Sequence, residues 1–328
     1  MRLRALEHWL QERPAWVLFV VAPLLAEVFS GSTPLDEFIS PPTFLSLMML
    51  YGSGAVLVRE AVVRWRKGWP SLLLLGFAYA IYEEGLVVRS FFNPRWVDLG
   101  RLGVYGRLYG VNWVWVEQLV IFHAAVSILT TIAFVEILLP ARRQEPWLRT
   151  RRAWVFHGAN LLLVLALGWA LIPYDAPTLG MAGCVVSILL LVVLGRRVPA
   201  RVRLPRAGKP PAPAAFFFLG FSGMFLLFFI VSQGADEGHY SYPVAMVLLA
   251  LGGLGVLALV LRWSGGGICW DDRHRFALLS GGLSFLLIFT ALMVGQRHPV
   301  MYFTSPLFLL ALAVAYRRVS RRVTALQT

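Results

Sequence analysis

PSLLLLGFAYAIYEEGLVVRSFFNPRW, residues 70–96, decides how this chain is read. It begins as an apolar run of the kind that crosses a bilayer. Pro70 suits its first turn, where the helical N–H has no partner anyway. Two adjacent carboxylates, Glu83 and Glu84, then sit where lipid should be, and Arg89 follows. At 1.5 Å per residue the glutamates lie about 20 Å into a helix that starts near Pro70. A charge at that depth costs a few kcal/mol and rarely faces lipid. The run therefore predicts a membrane helix whose polar face is turned towards other helices.

The rest of the chain agrees with that reading. Of 328 residues 58% are hydrophobic and 14% charged, with a mean hydropathy of +0.70. An ordinary soluble domain carries about 25% charged residues. Ten segments are long and apolar enough to cross about 30 Å of hydrocarbon. They fall near 15–30, 43–60, 70–90, 112–139, 153–172, 178–195, 214–233, 243–262, 276–295 and 299–316. The expected fold class is all-α, a polytopic transmembrane helical bundle of about ten spans.

The net charge of +13 has a topological source. The N-terminus, the 61–69, 140–152, 196–213 and 263–275 loops and the C-terminus, with Arg59 and Arg262 at the adjoining span ends, hold 25 of the 30 Lys and Arg residues. The positive-inside rule then puts both termini in the cytoplasm of a plasma (inner) membrane. The partners implied are membrane lipids with anionic headgroups, and no nucleic acid. Arg outnumbers Lys 28 to 2, which suits a GC-rich bacterial genome. Cys184 and Cys269 fall on different elements, with no disulfide framework and no zinc spacing. The basic, Pro-rich 196–213 stretch reads as an extended linker between a six-helix bundle, 1–195, and a four-helix bundle, 214–328. Residues 2–12 read as a helix lying along the membrane surface.

The ionisable residues of the spans fall into two groups. Glu27, Glu60, Glu136 and His157 lie near helix ends and read as anchors reaching water. Glu83, Glu84 and His123 lie deep. The helix starting near Asn112 returns from the outside, which puts His123 about 16 Å down it. Its depth matches that of the glutamates on the preceding antiparallel helix, and Ser127 and Thr131 continue its polar stripe. Two carboxylates and an imidazole in low dielectric can activate a water, relay protons or hold a divalent metal. Outside, Arg89, Arg95, Arg101 and Arg107 are interleaved with aromatics, in a segment expected to anchor on headgroups or cover a cavity. Glu117 lies two turns above His123.

Glu83-Glu84 and the later His123 resemble the motifs of the CAAX-processing and bacteriocin-processing (CPBP, or ABI) intramembrane endopeptidases. That family carries EExxxR on one span, FxxxH on the next and HxxxN or similar on a later one. The resemblance covers roughly residues 70–130, with Leu119 where Phe is usual. It implies a protease-like hydrolase in which Glu83 and Glu84 are acid and base and His123 orients the water or stabilises the oxyanion. The implied substrate is a membrane peptide in an outward-opening polar cavity. Here the arginine follows Glu84 by five residues instead of four, about 140° around an α-helix. The nearest third motif is His157-Gly-Ala-Asn160, three apart. Two other classes remain open. One is a lipid-linked glycosyltransferase, with Asp36 and Glu37 in the first external loop and the arginines on a lipid phosphate. The other is a transporter or scaffold, for which the Gly-broken Tyr51-Gly-Ser-Gly stretch is a weak point.

Overall fold

The computed structural model describes residues 11–97, 99–202 and 208–326. The expected surface helix over 2–12 falls almost wholly outside them. Helices dominate, and among the described residues eight are long and apolar enough to cross a membrane. These are α2 (Pro41–Arg64), α4 (Trp113–Leu138), α5 (Arg151–Leu171), α6 (Thr178–Arg197), α7 (Pro213–Ala235), α8 (Tyr242–Ser264), α9 (Asp272–Met293) and α10 (Val300–Ala325). Two expected spans differ. Helix α1 (Pro14–Val28) is shorter. Helix α3 runs from Trp69–Ala80 into Ile81–Val87, and its two glutamates lower its hydropathy.

Local chemistry sets the helix starts. Pro occupies the first turn of α1, α2, α3, α7 and α8. Asn112 caps α4 by accepting from Trp115 N at 3.1 Å, and Thr150 caps α5 through Ala153 N at 3.2 Å. Asp271 caps α9 reciprocally with His274. Helices α4 and α9 are the central ones, 56% buried along their apolar windows. Helices α5, α6, α8 and α10 are only 11–17% buried and leave broad faces for lipid.

Packing runs across the expected boundary between the two bundles. One apolar cluster joins Leu25, Phe29, Phe122 and Val126 to Phe276, Leu283, Leu286 and Leu287. At the basic end, Asp272 accepts from Arg143 Nη2 at 2.9 Å and Arg322 Nη2 at 3.1 Å. Within the C-terminal half, α7 and α9 approach at Gly220 and Gly281, where an added Cβ would meet the backbone carbonyl of Leu278 or Phe217. Helix α3 lies antiparallel along α6: Ser71 Oγ donates to Gly195 O at 2.6 Å, Gly85 packs on Cys184, and Phe92 packs on Gly180.

The 89–112 segment is folded and packed onto the bundle. Phe91, Phe92 and Leu99 are buried, and Asn112 N donates to Phe91 O at 2.9 Å. A short hairpin pairs β1 (Arg107–Leu108) with β2 (Val111–Asn112). Its two turn residues, Tyr109 and Gly110, both have positive φ, the requirement of a type I′ turn.

Candidate functional site

Four helices lose the α-helical register where they carry the polar residues. π-helical turns occupy Leu24–Val28, Met48–Gly52, Ile81–Val87 and His123–Thr130. They contain, in order, Glu27, Tyr51, Glu83 with Glu84, and His123 with Ser127. In such a turn a backbone N–H reaches five residues back, as Val88 N does to Glu83 O at 3.0 Å. One residue is thereby inserted, which re-aims side chains and frees backbone groups; π turns concentrate at functional sites for that reason.

His123 stands at the centre. Its Nε2 lies 2.9 Å from Glu84 Oε1, and its Nδ1 lies 3.2 Å from Glu83 Oε2 and 3.0 Å from Ser127 Oγ. All three side chains are buried, with Glu83 2%, Glu84 8% and His123 4% exposed. The expected meeting of α3 and α4 at one depth is therefore what the structure contains. The other oxygen of Glu84 accepts from Ser90 Oγ, and Ser90 accepts from Trp115 Nε1 at 3.0 Å. Glu84 is thus held on both sides. Glu83 Oε2 is held less tightly: it lies 3.2 Å from His123 Nδ1 without good hydrogen-bond geometry, with the buried hydroxyls of Tyr79 and Tyr51 facing it.

Sequence reading missed part of this cluster. Glu27 is not a water-reaching anchor. It is buried, accepting from Tyr51 Oη and, at 2.5 Å, from Thr33 Oγ1. Tyr51 stacks near the His123 ring, with centroids 6.2 Å apart and planes 22° apart. The usable signal was the placement of Glu27 and Tyr51 within apolar runs. Glu60 also does not reach water. It is wholly buried, 2.8 Å from Arg59 Nη1, and accepts from Trp147 N at 2.6 Å. Arg59 is only 1% exposed. It further contacts Glu136 and the carbonyls of Arg143 and Glu145, and stacks 3.6 Å over Trp147. That cage joins α2 to the 140–152 loop.

The four arginines of the 89–112 segment do not converge on one ligand position. Arg89 takes a left-handed backbone, φ 59°, just past the end of α3. Its guanidinium donates to Gly168 O at 2.9 Å and Ile172 O at 2.8 Å, closing the C-terminus of α5 instead of pairing with a glutamate. Arg107 donates to Gly103, Phe92 and Gly110 carbonyls and fastens the hairpin. Arg101 donates to Asp236 O, and Arg95 is exposed. Glu117 is half-buried, with one oxygen unpartnered. His157 and Asn160 meet on the Ser53 hydroxyl of α2, at 3.2 and 3.0 Å, and make no hydrogen bond with the His123 cluster. Asp36 and Glu37 face His298, at 3.0 and 3.6 Å. The His298 hydrogen bond holds the exposed Asp36 carboxyl below its usual range.

One ligand atom from each of Glu83, Glu84 and His123 falls within 4.8 Å of the others, an arrangement that suits a divalent cation. Glu83 Oε2, which accepts no hydrogen bond of good geometry, fits the same use. Such a donor set, two carboxylates and one imidazole, would leave a coordination position for water or substrate.

A family model described as an uncharacterized membrane protein family matches residues 16–219. No curated protein and no solved structure matches significantly. The CAAX-processing resemblance has no counterpart among these matches. The matched stretch covers more than half of the chain and contains Glu27, Tyr51, Tyr79, Glu83, Glu84, Ser90, Trp115 and His123. The chain therefore belongs to this uncharacterized membrane protein family.

Proposed function

We propose that the protein is an intramembrane hydrolase that cleaves a peptide bond at the Glu83–His123–Glu84 cluster. The observation that carries the reading is the asymmetry of the two glutamates. Both oxygens of Glu84 are occupied, by His123 and Ser90, whereas Glu83 Oε2 makes no hydrogen bond of good geometry and has the His123 ring at 3.2 Å and the Tyr79 hydroxyl facing it. A water between Glu83 and Tyr79 would be deprotonated by Glu83 as its oxygen attacks the scissile carbonyl carbon. The Tyr79 O–H would donate to the developing oxyanion. Glu83 would then pass the same proton to the amide nitrogen as the C–N bond breaks. His123, oriented by Glu84, offsets the charge of the carboxylates. A divalent cation on the same three side chains would supply Lewis-acid activation of that water. The burial of the cluster means that a substrate reaches it only when neighbouring helices part.

The membrane arrangement proposed with it has ten spans and cytoplasmic termini in the plasma membrane. The antiparallel run of α3 along α6, itself 20 residues with a mean hydropathy of 2.4, supports counting α3 as a span. The glycosyltransferase reading is less well supported, because Arg89, Arg101 and Arg107 are occupied by backbone carbonyls.

The test is terminal-peptide mass spectrometry on membranes of cells making the wild type or Glu83→Gln at equal, folded levels. New protein termini seen only with the wild type support cleavage. Identical terminal peptides in both samples overturn it.

A further inference from the structure

A second, separate site lies at the basic end of the molecule. A cavity of about 680 Å³ opens between the starts of α1 and α5 and the 140–152 loop. We propose that it binds an anionic phospholipid, with the phosphate among its arginines and the acyl chains along its aromatic wall.

Charge is the first argument. Among the described residues, Arg13, Arg142, Arg149 and Arg152 line the cavity, against one acidic lining residue, Glu12. Glu145 pairs with Arg142 at 3.0 Å and with Arg149 at 3.4 Å, which leaves the rim positive and pre-organises two guanidinium groups. The second argument is the backbone. Pro14, Ala15 and Trp16 of α1, and Thr150, Arg152 and Ala153 of α5, lie on the cavity wall. Helices α1 and α5 therefore point their N-termini, and the positive ends of their dipoles, at one space. The third argument separates a lipid from a soluble anion. Trp16 and Phe156 line the same cavity, with ring centroids 5.7 Å apart. They are 48% and 42% exposed, and exposed Val20, Val155 and Leu163 continue along the same two helices. A free phosphate has no use for that apolar wall. A glycerophospholipid spans both chemistries, because tryptophan favours the headgroup level and arginine the phosphate. The positive face is also the one that the charge distribution assigns to the cytoplasmic leaflet, where anionic lipids provide the complementary charge.

The experiment uses the full chain, delipidated in a neutral detergent. Thermal unfolding is followed while phosphatidylglycerol, phosphatidylcholine or inorganic phosphate is titrated in. Phosphatidylglycerol should raise the melting temperature of the wild type at concentrations on the order of tenfold lower than phosphatidylcholine needs. Arg149→Gln/Arg152→Gln should lose that advantage. Arg317→Gln/Arg318→Gln, the same charge loss on α10, should keep it. Native mass spectrometry of the single Arg152→Gln variant, an exposed position, reads retained lipid should the double variant fold poorly. The proposal is overturned by equal responses to the two lipids, or by an Arg149/Arg152 variant that binds like the wild type. Full reproduction of the shift by inorganic phosphate would also overturn it, in favour of a soluble anion. None of these outcomes depends on hydrolysis.

Discussion

Tyr79 shows how much a single hydroxyl carries here. It is buried in α3 facing Glu83, and makes no hydrogen bond of good geometry there. A buried polar atom left unpaired costs about 1–3 kcal/mol, so its persistence points to a partner that arrives with substrate or water. Tyr79→Phe should therefore cost little stability and lower the turnover of any cleavage found by about 10²-fold, the scale of one lost oxyanion donor. A melting curve and a single-turnover rate on the purified protein separate the two. If stability falls and rate does not, Tyr79 is a packing residue. Arg59 gives the opposite case. Its guanidinium holds Glu60, Glu136 and two loop carbonyls in the interior. Arg59→Ala leaves buried carboxylates unpaired, which costs about 3–5 kcal/mol. Arg59→Lys should recover only part of that, because a point charge cannot reproduce the planar fork or the stacking on Trp147. Fluorescence-detected gel filtration after heating reads both. Arg59 is hard to see in the sequence, since it sits at the end of an apolar run beside other basic residues and reads as part of the positive flank. Glu83, Glu84 and His123 are legible because their depth makes any other placement costly.

The helices themselves explain why the motif spacing looks irregular. A fixed 3.6-residue period puts Glu84 and Arg89 on different faces. In the π turn Ile81–Val87 the ladder runs to the fifth residue, so Glu84 can face His123 while Arg89 leaves the helix and closes α5. No side-chain period announces such a turn, which is why α1, α2, α3 and α4 are legible as elements and their internal register is not. Deleting Val88 restores the shorter Glu–Arg spacing and offers a direct test. It should rotate the chain beyond the π turn by about 100° and pull Arg89 from the Gly168 and Ile172 carbonyls. It should also move Ser90 off Glu84. The expected result is a melting temperature several degrees lower, with loss of any cleavage. Wild-type behaviour in the deletion variant would mean that the π turn is not what sets the site.

At the scale of the whole molecule, charge predicts on which side each loop lies, and nothing in the sequence predicts how the halves join. The linker composition suggests two bundles, yet Phe276 and Leu286 share a core with Leu25 and Phe122, and Asp272 ties Arg143 to Arg322. Composition cannot show such contacts, because apolar residues facing lipid and apolar residues facing another helix look alike. Orientation is different. The positive-inside rule makes a claim about sides, and the two cysteines permit a test without mutation. Cys269 is exposed in the loop between α8 and α9, and Cys184 is buried where α6 packs on Gly85 of α3. With cytoplasmic termini, Cys269 faces the cytoplasm. A membrane-impermeant maleimide should then leave spheroplasts unlabelled and label inverted vesicles once per chain. A Cys269→Ser variant should take up none in either preparation. Labelling of intact spheroplasts at Cys269 would reverse the orientation. It would also move the Arg-lined cavity to the outer face and Glu83 towards the inner one.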